Sequence, residues 1–249
     1  LQGYYVPLFP DIVTQLGIVD ADVNWFEAAQ LLLSALVLPI LAKLGDMYGH
    51  KRILLVSAVL TAGASWWLVF ADSFETFLIA WALQGFYVVW LPLEVALIFE
   101  RGRRQARGVS ATRRAAGLLV VGLEAGAILG ALSAGRIFAA SGDLRLSLMM
   151  PAIAVTVVCA VILFGVPESE PVPGRRLDVG GLVILGFALL LITGGLSFLR
   201  LPDGPGALVV VPLVLLGVAA LVLFGWYELR QKDPAVDIRV LARPEMWPV

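Results

Sequence analysis

Hydrophobic residues in this chain come in long unbroken runs, neither alternating nor confined to one helical stripe. Seven stretches, about 24–42, 53–71, 76–99, 115–138, 146–166, 179–199 and 207–227, are almost wholly apolar. At roughly 1.5 Å of rise per residue, each comes close to the roughly 30 Å of a bilayer's hydrocarbon core. Where no water is present, such a run satisfies its backbone only as a helix or within a closed barrel, and runs this long fit the helix. The pattern therefore predicts an all-α polytopic membrane protein. An eighth run, Leu1 to Phe9, is too short to span and ends at Pro10-Asp11. It reads as the outer end of a helix whose beginning is missing, and Asp11 to Val23 reads as an acidic outer loop.

The polar interruptions divide by charge. Of the 18 Lys and Arg residues, all but Arg136, Arg145 and Arg200 fall in 43–52, 100–114, 167–178 and 228–249. Basic residues stay on the cytoplasmic side of membrane helices, so these segments are expected inside. The Pro/Glu/Gly/Arg stretch 167–178 is the one linker. The expected organisation is a bundle over 1–166, the cytoplasmic linker 167–178, a separate helix pair over 179–227, and a cytoplasmic tail over 228–249.

Composition agrees: 60% of the 249 residues are hydrophobic, 15% are charged, and the mean hydropathy is +0.92, beyond the range of a soluble domain. Each basic cluster abuts an apolar span, so nucleic-acid binding is excluded. The single cysteine, Cys159, lies inside an apolar run and can form no disulfide within the chain. No cluster has metal-ligand spacing, and no nucleophile–base set or phosphate loop is present. Neither a metal, a cofactor nor enzymatic catalysis is expected.

The segment Ala42-Lys43-Leu44-Gly45-Asp46-Met47-Tyr48-Gly49-His50-Lys51-Arg52 resembles the signature G-x-L-A/G-D-R-x-G-R-R/K-R. That signature joins the second and third helices of major facilitator superfamily transporters. Gly45, Asp46, Gly49, Lys51 and Arg52 fit it, whereas Met47 and His50 stand where arginines belong. The resemblance implies a six-helix N-terminal bundle with its first helix truncated, and a missing C-terminal bundle. The pair over 179–227 looks like the extra linker helices of the fourteen-helix drug:proton antiporter branch. In the family, the aspartate at Asp46 holds the two bundles together in one conformation.

Candidate chemistry lies where polar groups enter apolar runs. Gly122, Gly126, Gly130 and Ala134 recur every fourth residue, a small-residue seam that lets another helix approach closely. With Gly135 they resemble the antiporter motif of the fifth helix, Ala131 replacing its proline. Glu124 lies across the helix from the seam, near mid-membrane. A carboxylate there must face a wet cavity or a partner, or be protonated. It is the candidate for proton coupling or substrate contact, together with Glu94, which shares a strip with Tyr87 and Trp90. Glu27 and Gln30 form a polar stripe with Ser34 and are candidates for lining the cavity. Proton-coupled members of the family usually carry an arginine three residues before Gln84-Gly85; here that residue is Trp81.

The resemblance thus implies a secondary transporter that moves drugs or lipid-like amphipaths out of the cell by alternating access, exchanging them for protons. Its site would be a multi-pass protein in the plasma membrane, here the bacterial inner membrane. A non-transporting scaffold or regulatory half-transporter is the alternative, favoured by the weakened motifs.

Overall fold

The computed structural model describes residues 1–104, 108–169, 178–200, 205–231, 234 and 239. No strand occurs among them. Gln2–Tyr5 (α1), a 3-10 turn and Phe9–Leu16 (α2) form one nearly continuous helical run, ended by Gly17 in the left-handed region at φ 63°. The outer loop expected from Asp11 onward is thus helical as far as Leu16, because Pro10 sits in the first turn of α2, where its missing N–H costs nothing. Seven long apolar helices follow: Val23–Tyr48 (α3), His50–Phe70 (α4), Phe74–Gln84 (α5) continuing as Trp90–Arg104 (α6), Gly108–Ser141 (α7), Leu144–Gly165 (α8), Val179–Ser197 (α9) and Ala207–Glu228 (α10).

Local capping accounts for several starts. Ser73 and Thr76 cap α5 reciprocally, the Ser73 hydroxyl accepting from the Thr76 amide and the Thr76 hydroxyl from the Ser73 amide. Asp143 accepts from the amides of Arg145 and Leu146 at the start of α8. Asp178 does the same for Gly181 at the start of α9, with its oxygen 3.0 Å from the amide nitrogen.

One span is broken. Between α5 and α6 the chain narrows to a 3-10 turn over Gly85–Val89, and the apolar sequence gives no sign of it. The freed carbonyls are satisfied from neighbouring helices. The Ser34 hydroxyl on α3 donates to the Gly85 carbonyl (3.1 Å), and the Ser57 hydroxyl on α4 donates to that of Phe86 (2.8 Å). Position 85 must be glycine, because a Cβ there would lie 2.8 Å from the backbone oxygen of Gln30.

α4 and α8 pack along their length, and α4 is the more buried of the two. The inward face of α4 is small and polar, with Ser57, Ala58, Thr61, Ala62 and Ser65 buried, so its neighbours approach closely. Two cores result. One joins Tyr4, Tyr5, Phe26, Phe77, Trp81, Leu144 and Leu148. The other joins Leu41, Leu54, Val89, Leu93 and Ile162 nearer the basic end. α9 and α10 pair tightly, Gly217 against Ile192, and the pair seats on α3 with Gly186 against Leu36.

Candidate functional site

The basic end of α3 and α4 is built differently from a loop. α3 runs on to Tyr48 and α4 begins at His50, so the turn is the single residue Gly49 at φ 102°. Gly45, Asp46, Lys51 and Arg52 therefore stand on helices, correcting the expected loop over 43–52. The run of helix-compatible residues on both sides of Gly49 explains it. Gly45 leaves room for Leu93 of α6, whose side chain lies 2.7 Å from where a Cβ would stand.

Gly49 supplies no side chain to cap α4, and the cap comes from the segment after α8, 119 residues along the chain. The Ser169 hydroxyl accepts from the His50 amide (2.7 Å). Its neighbour Glu168 lies over Gly49 and pairs with Arg52 (3.4 Å). A hydroxyl acceptor and a carboxylate at the positive end of a helix are both stabilising. The His50 ring lies between Ser169 (Nδ1 to Oγ, 3.0 Å) and Asp46 (Nε2 to Oδ1, 3.3 Å). Lys51 donates to the Leu163 carbonyl, and buried Lys43 to that of Pro234.

At the helix break, Tyr87, Trp90 and Glu94 line one cleft of about 450 Å³ between α6 and α7, with Leu118, Leu119, Gly122 and Leu123 opposite. The three residues expected to share a strip are thus together. Trp90 is fixed: its indole N–H donates to the Ser57 hydroxyl (2.8 Å), which itself donates to the Phe86 carbonyl. Glu94 is half-buried, and no ion pair reaches it among the described residues. Gln2 reaches the side chain of Gln30, donating to its amide oxygen. Gln30 is buried and Glu27 partly covered, and neither of these two expected cavity-lining residues is among those that line this cleft.

Glu124 lies near the middle of α7 and is exposed; it does not line this cleft. The seam on the same helix is packed at only one of its glycines. A Cβ on Gly130 would meet Tyr4 at 3.5 Å, while Cβ atoms on Gly122, Gly126 and Gly135 would meet nothing within 4 Å. The tight contact of α7 is instead Ala127 against Gly3, whose Cβ would lie 2.7 Å from the Ala127 carbonyl oxygen.

Trp81 is wholly buried. Tyr5, Phe9, Phe26 and Phe77 surround it at centroid distances of 5.0 to 6.1 Å. Beside this cluster Gln84 donates to the Tyr5 hydroxyl (2.8 Å) and the Ser65 hydroxyl (2.9 Å). The sequence reading missed Gln2, Gln84, Glu168 and Ser169. The two glutamines carried a signal, being amides beside or inside apolar runs; Glu168 and Ser169 carried none, since their partners are more than 100 residues away. Among the described residues no three His, Cys, Asp or Glu side chains are placed to hold a metal ion.

Comparison with known proteins gives a consistent family. The model of the Major Facilitator Superfamily matches residues 1–181. The uncharacterized MFS-type transporter YwoD of Bacillus subtilis is 26% identical over 88% of this chain and 47% of its own length. The uncharacterized MFS-type transporter Rv1877 of Mycobacterium tuberculosis is 26% identical over 98% of this chain and 34% of its length. The puromycin resistance protein pur8 of Streptomyces alboniger is 29% identical over 94% of this chain and 45% of its length. The chain thus spans between a third and a half of these relatives. The crystal structure of the human organic anion transporter MFSD10 superposes with a TM-score of 0.56 at 19% identity, over 87% of this chain and 51% of that one, a likeness of fold. A family match over residues 1–181, with seven apolar helices in a matching fold, makes this chain a member of the major facilitator superfamily of membrane transporters.

Proposed function

We propose that the chain forms the substrate-facing half of a proton-coupled exporter of hydrophobic or amphipathic compounds, in the fourteen-helix antiporter branch. The observation that carries this reading is the cleft at the broken helix. An unpaired, half-buried carboxylate, Glu94, stands there beside a fixed indole, Trp90, and a phenol, Tyr87. Aromatic faces and a carboxylate in a low-dielectric wall suit an amphipath, cations best of all. Broken helices at mid-membrane are where transporters of this type hold substrate. The puromycin resistance of one relative supports a drug-like substrate class.

In this reading residues 1–166 form one bundle. The segment 167–178 links it to the pair 179–227, which carries no substrate chemistry, and 228–249 leads toward a second bundle that supplies the cleft's other wall. Residues 43–52, 100–114 and 167–178 face the cytoplasm of a bacterial cell. Trp81 removes one cation from the coupling chemistry, which falls to Glu124 and Glu94. Asp46, on the stem of the Gly49 turn, engages the second bundle in one conformation.

The test uses the full-length transporter in vesicles with an imposed pH gradient and puromycin or ethidium as probe. Uphill, gradient-dependent movement is expected, and Glu94→Gln should raise the concentration needed for half-maximal transport. A protein that moves neither probe, or is indifferent to the gradient, overturns the reading.

A further inference from the structure

His50 is the chain's one histidine, and both of its ring nitrogens are engaged. Nδ1 lies 3.0 Å from the Ser169 hydroxyl oxygen, and Nε2 lies 3.3 Å from a carboxylate oxygen of Asp46. The two partners answer a change of charge differently. A hydroxyl both donates and accepts, so Ser169 donates to Nδ1 of a neutral ring and accepts from Nδ1–H of a protonated one. In either case its oxygen also accepts from the His50 backbone amide (2.7 Å). The ring is therefore held in place while its charge changes. A carboxylate only accepts: Asp46 takes one ordinary N–H bond from the neutral ring and forms an ion pair with the charged one.

The other charges at this corner are carboxylates and permanent cations. Among the described residues, α3 presents Asp46, the segment after α8 presents Glu168 above Gly49, and α4 itself presents Lys51 and Arg52. Lys51 is committed to the Leu163 carbonyl and Arg52 to Glu168. α6 meets the corner with the apolar Leu93, and its Arg101 donates to the Pro167 carbonyl. Of these residue types, histidine alone has its ordinary charge change between pH 5 and 8. The arginine of the family signature at this position would be a cation throughout. The side chain of His50 is 14% exposed and that of Asp46 33%, so the carboxylate is the outward member of the pair.

We infer that His50 is a cytoplasmic pH switch on Asp46. With the ring protonated, the ion pair keeps Asp46 within the first bundle. With the ring neutral, one ordinary hydrogen bond holds it, and the carboxylate passes to the second bundle. The ion pair is present at acid pH and is lost as pH rises through the titration of the imidazole. Acidification of the cytoplasm thus withdraws a contact between the two halves. The inference rests on the proposed engagement of Asp46 with a second bundle; the pH-dependent pair itself does not, and the experiment separates them.

Two measurements on the full-length transporter test it. In detergent, a double-mutant cycle of His50→Gln and Asp46→Asn, read as shifts in melting temperature, should show coupling at pH 5.5 that fades by pH 8.5. In vesicles with equal pH on both sides, downhill exchange of puromycin or ethidium is followed over the same range. His50→Gln never carries the charge and His50→Arg always does. The wild type should match His50→Gln at pH 8.5 and His50→Arg at pH 5.5. The two variants should differ by about two- to fivefold, the size of one partly exposed ion pair. Coupling that is equal at both pH values overturns the switch. So does a wild-type exchange rate that keeps a constant ratio to both variants across the range, and this profile alone decides if Asp46→Asn does not fold. If the wild type moves neither probe, the transporter reading fails and the switch between bundles fails with it.

Discussion

The hydroxyl of Ser169 meets His50 twice, accepting from its backbone amide at 2.7 Å and lying 3.0 Å from its ring Nδ1. His50 is the first residue of α4, so a side chain 119 positions along the chain performs the capping that Gly49 cannot. Ser169→Ala should lower the thermal stability of the protein in detergent by about 0.5–2 kcal/mol, the usual worth of a cap. Ser169→Asp should retain most of it. Unchanged melting in Ser169→Ala would show that the contact does not hold α4.

The aromatic cluster predicts a larger effect. Trp81 fills the space between Tyr5, Phe26 and Phe77, and its indole N–H is buried without a partner. Trp81→Ala should cost about 3–5 kcal/mol through the cavity it leaves. Trp81→Phe should cost less, since it also removes the unsatisfied donor. Melting curves of the two variants decide, and equal losses would argue against the cluster as the core of this end.

Glycines 126 and 130 should part company. Gly130→Leu would drive a side chain into Tyr4 of α1 and cost about 1–3 kcal/mol. Gly126→Leu has open space around it within these residues and should leave folded yield unchanged. If the second bundle of the proposed transporter closes on α7, the effect of this substitution should show in transport. Equal losses of yield would place an intrachain neighbour at Gly126.

These three cases mark what could be read from the sequence. Seven spans were legible because apolar runs this long fit the helix, one of the two ways a backbone is satisfied in lipid. The strip of Tyr87, Trp90 and Glu94 was legible too, although the spacing presumed a regular helix and the chain there is a 3-10 turn. That break was invisible because Phe86, Tyr87, Val88 and Val89 continue the apolar run, and the groups that satisfy it, Ser34 and Ser57, lie on other helices. The signature around Asp46 was recognisable while its geometry was not. Two glycines suggested a loop, but only Gly49 takes a positive φ. The seam on α7 failed at Gly122 and Gly126 for a related reason: periodicity identifies a face, and the neighbour that covers it is a separate fact.

Glu124 offers the test of coupling. Glu124→Gln keeps shape and hydrogen-bonding capacity but cannot release the carboxyl proton. In vesicles of the full-length protein it should abolish uphill, pH-driven transport and preserve downhill exchange. Near-normal uphill transport would remove Glu124 from the mechanism.

Orientation can be checked at Arg101, which donates to the Pro167 carbonyl at the basic end. A cysteine placed there should react with an impermeant maleimide only from the cytoplasmic side. Labelling from outside would invert the topology.

Trp81 also bears on how this lineage can change. Tryptophan has a single codon, TGG, and one base substitution converts it to an arginine codon. The side chain that related proton-coupled members carry is therefore one mutational step away. Packing closes that route: a guanidinium set among Tyr5, Phe9, Phe26 and Phe77 would be a buried cation with no carboxylate among its ring neighbours. The rings would have to be replaced first, and each replacement alone would open a hole. The cluster thus acts as a ratchet on the gene, holding position 81 to an aromatic side chain although an arginine codon is one step away.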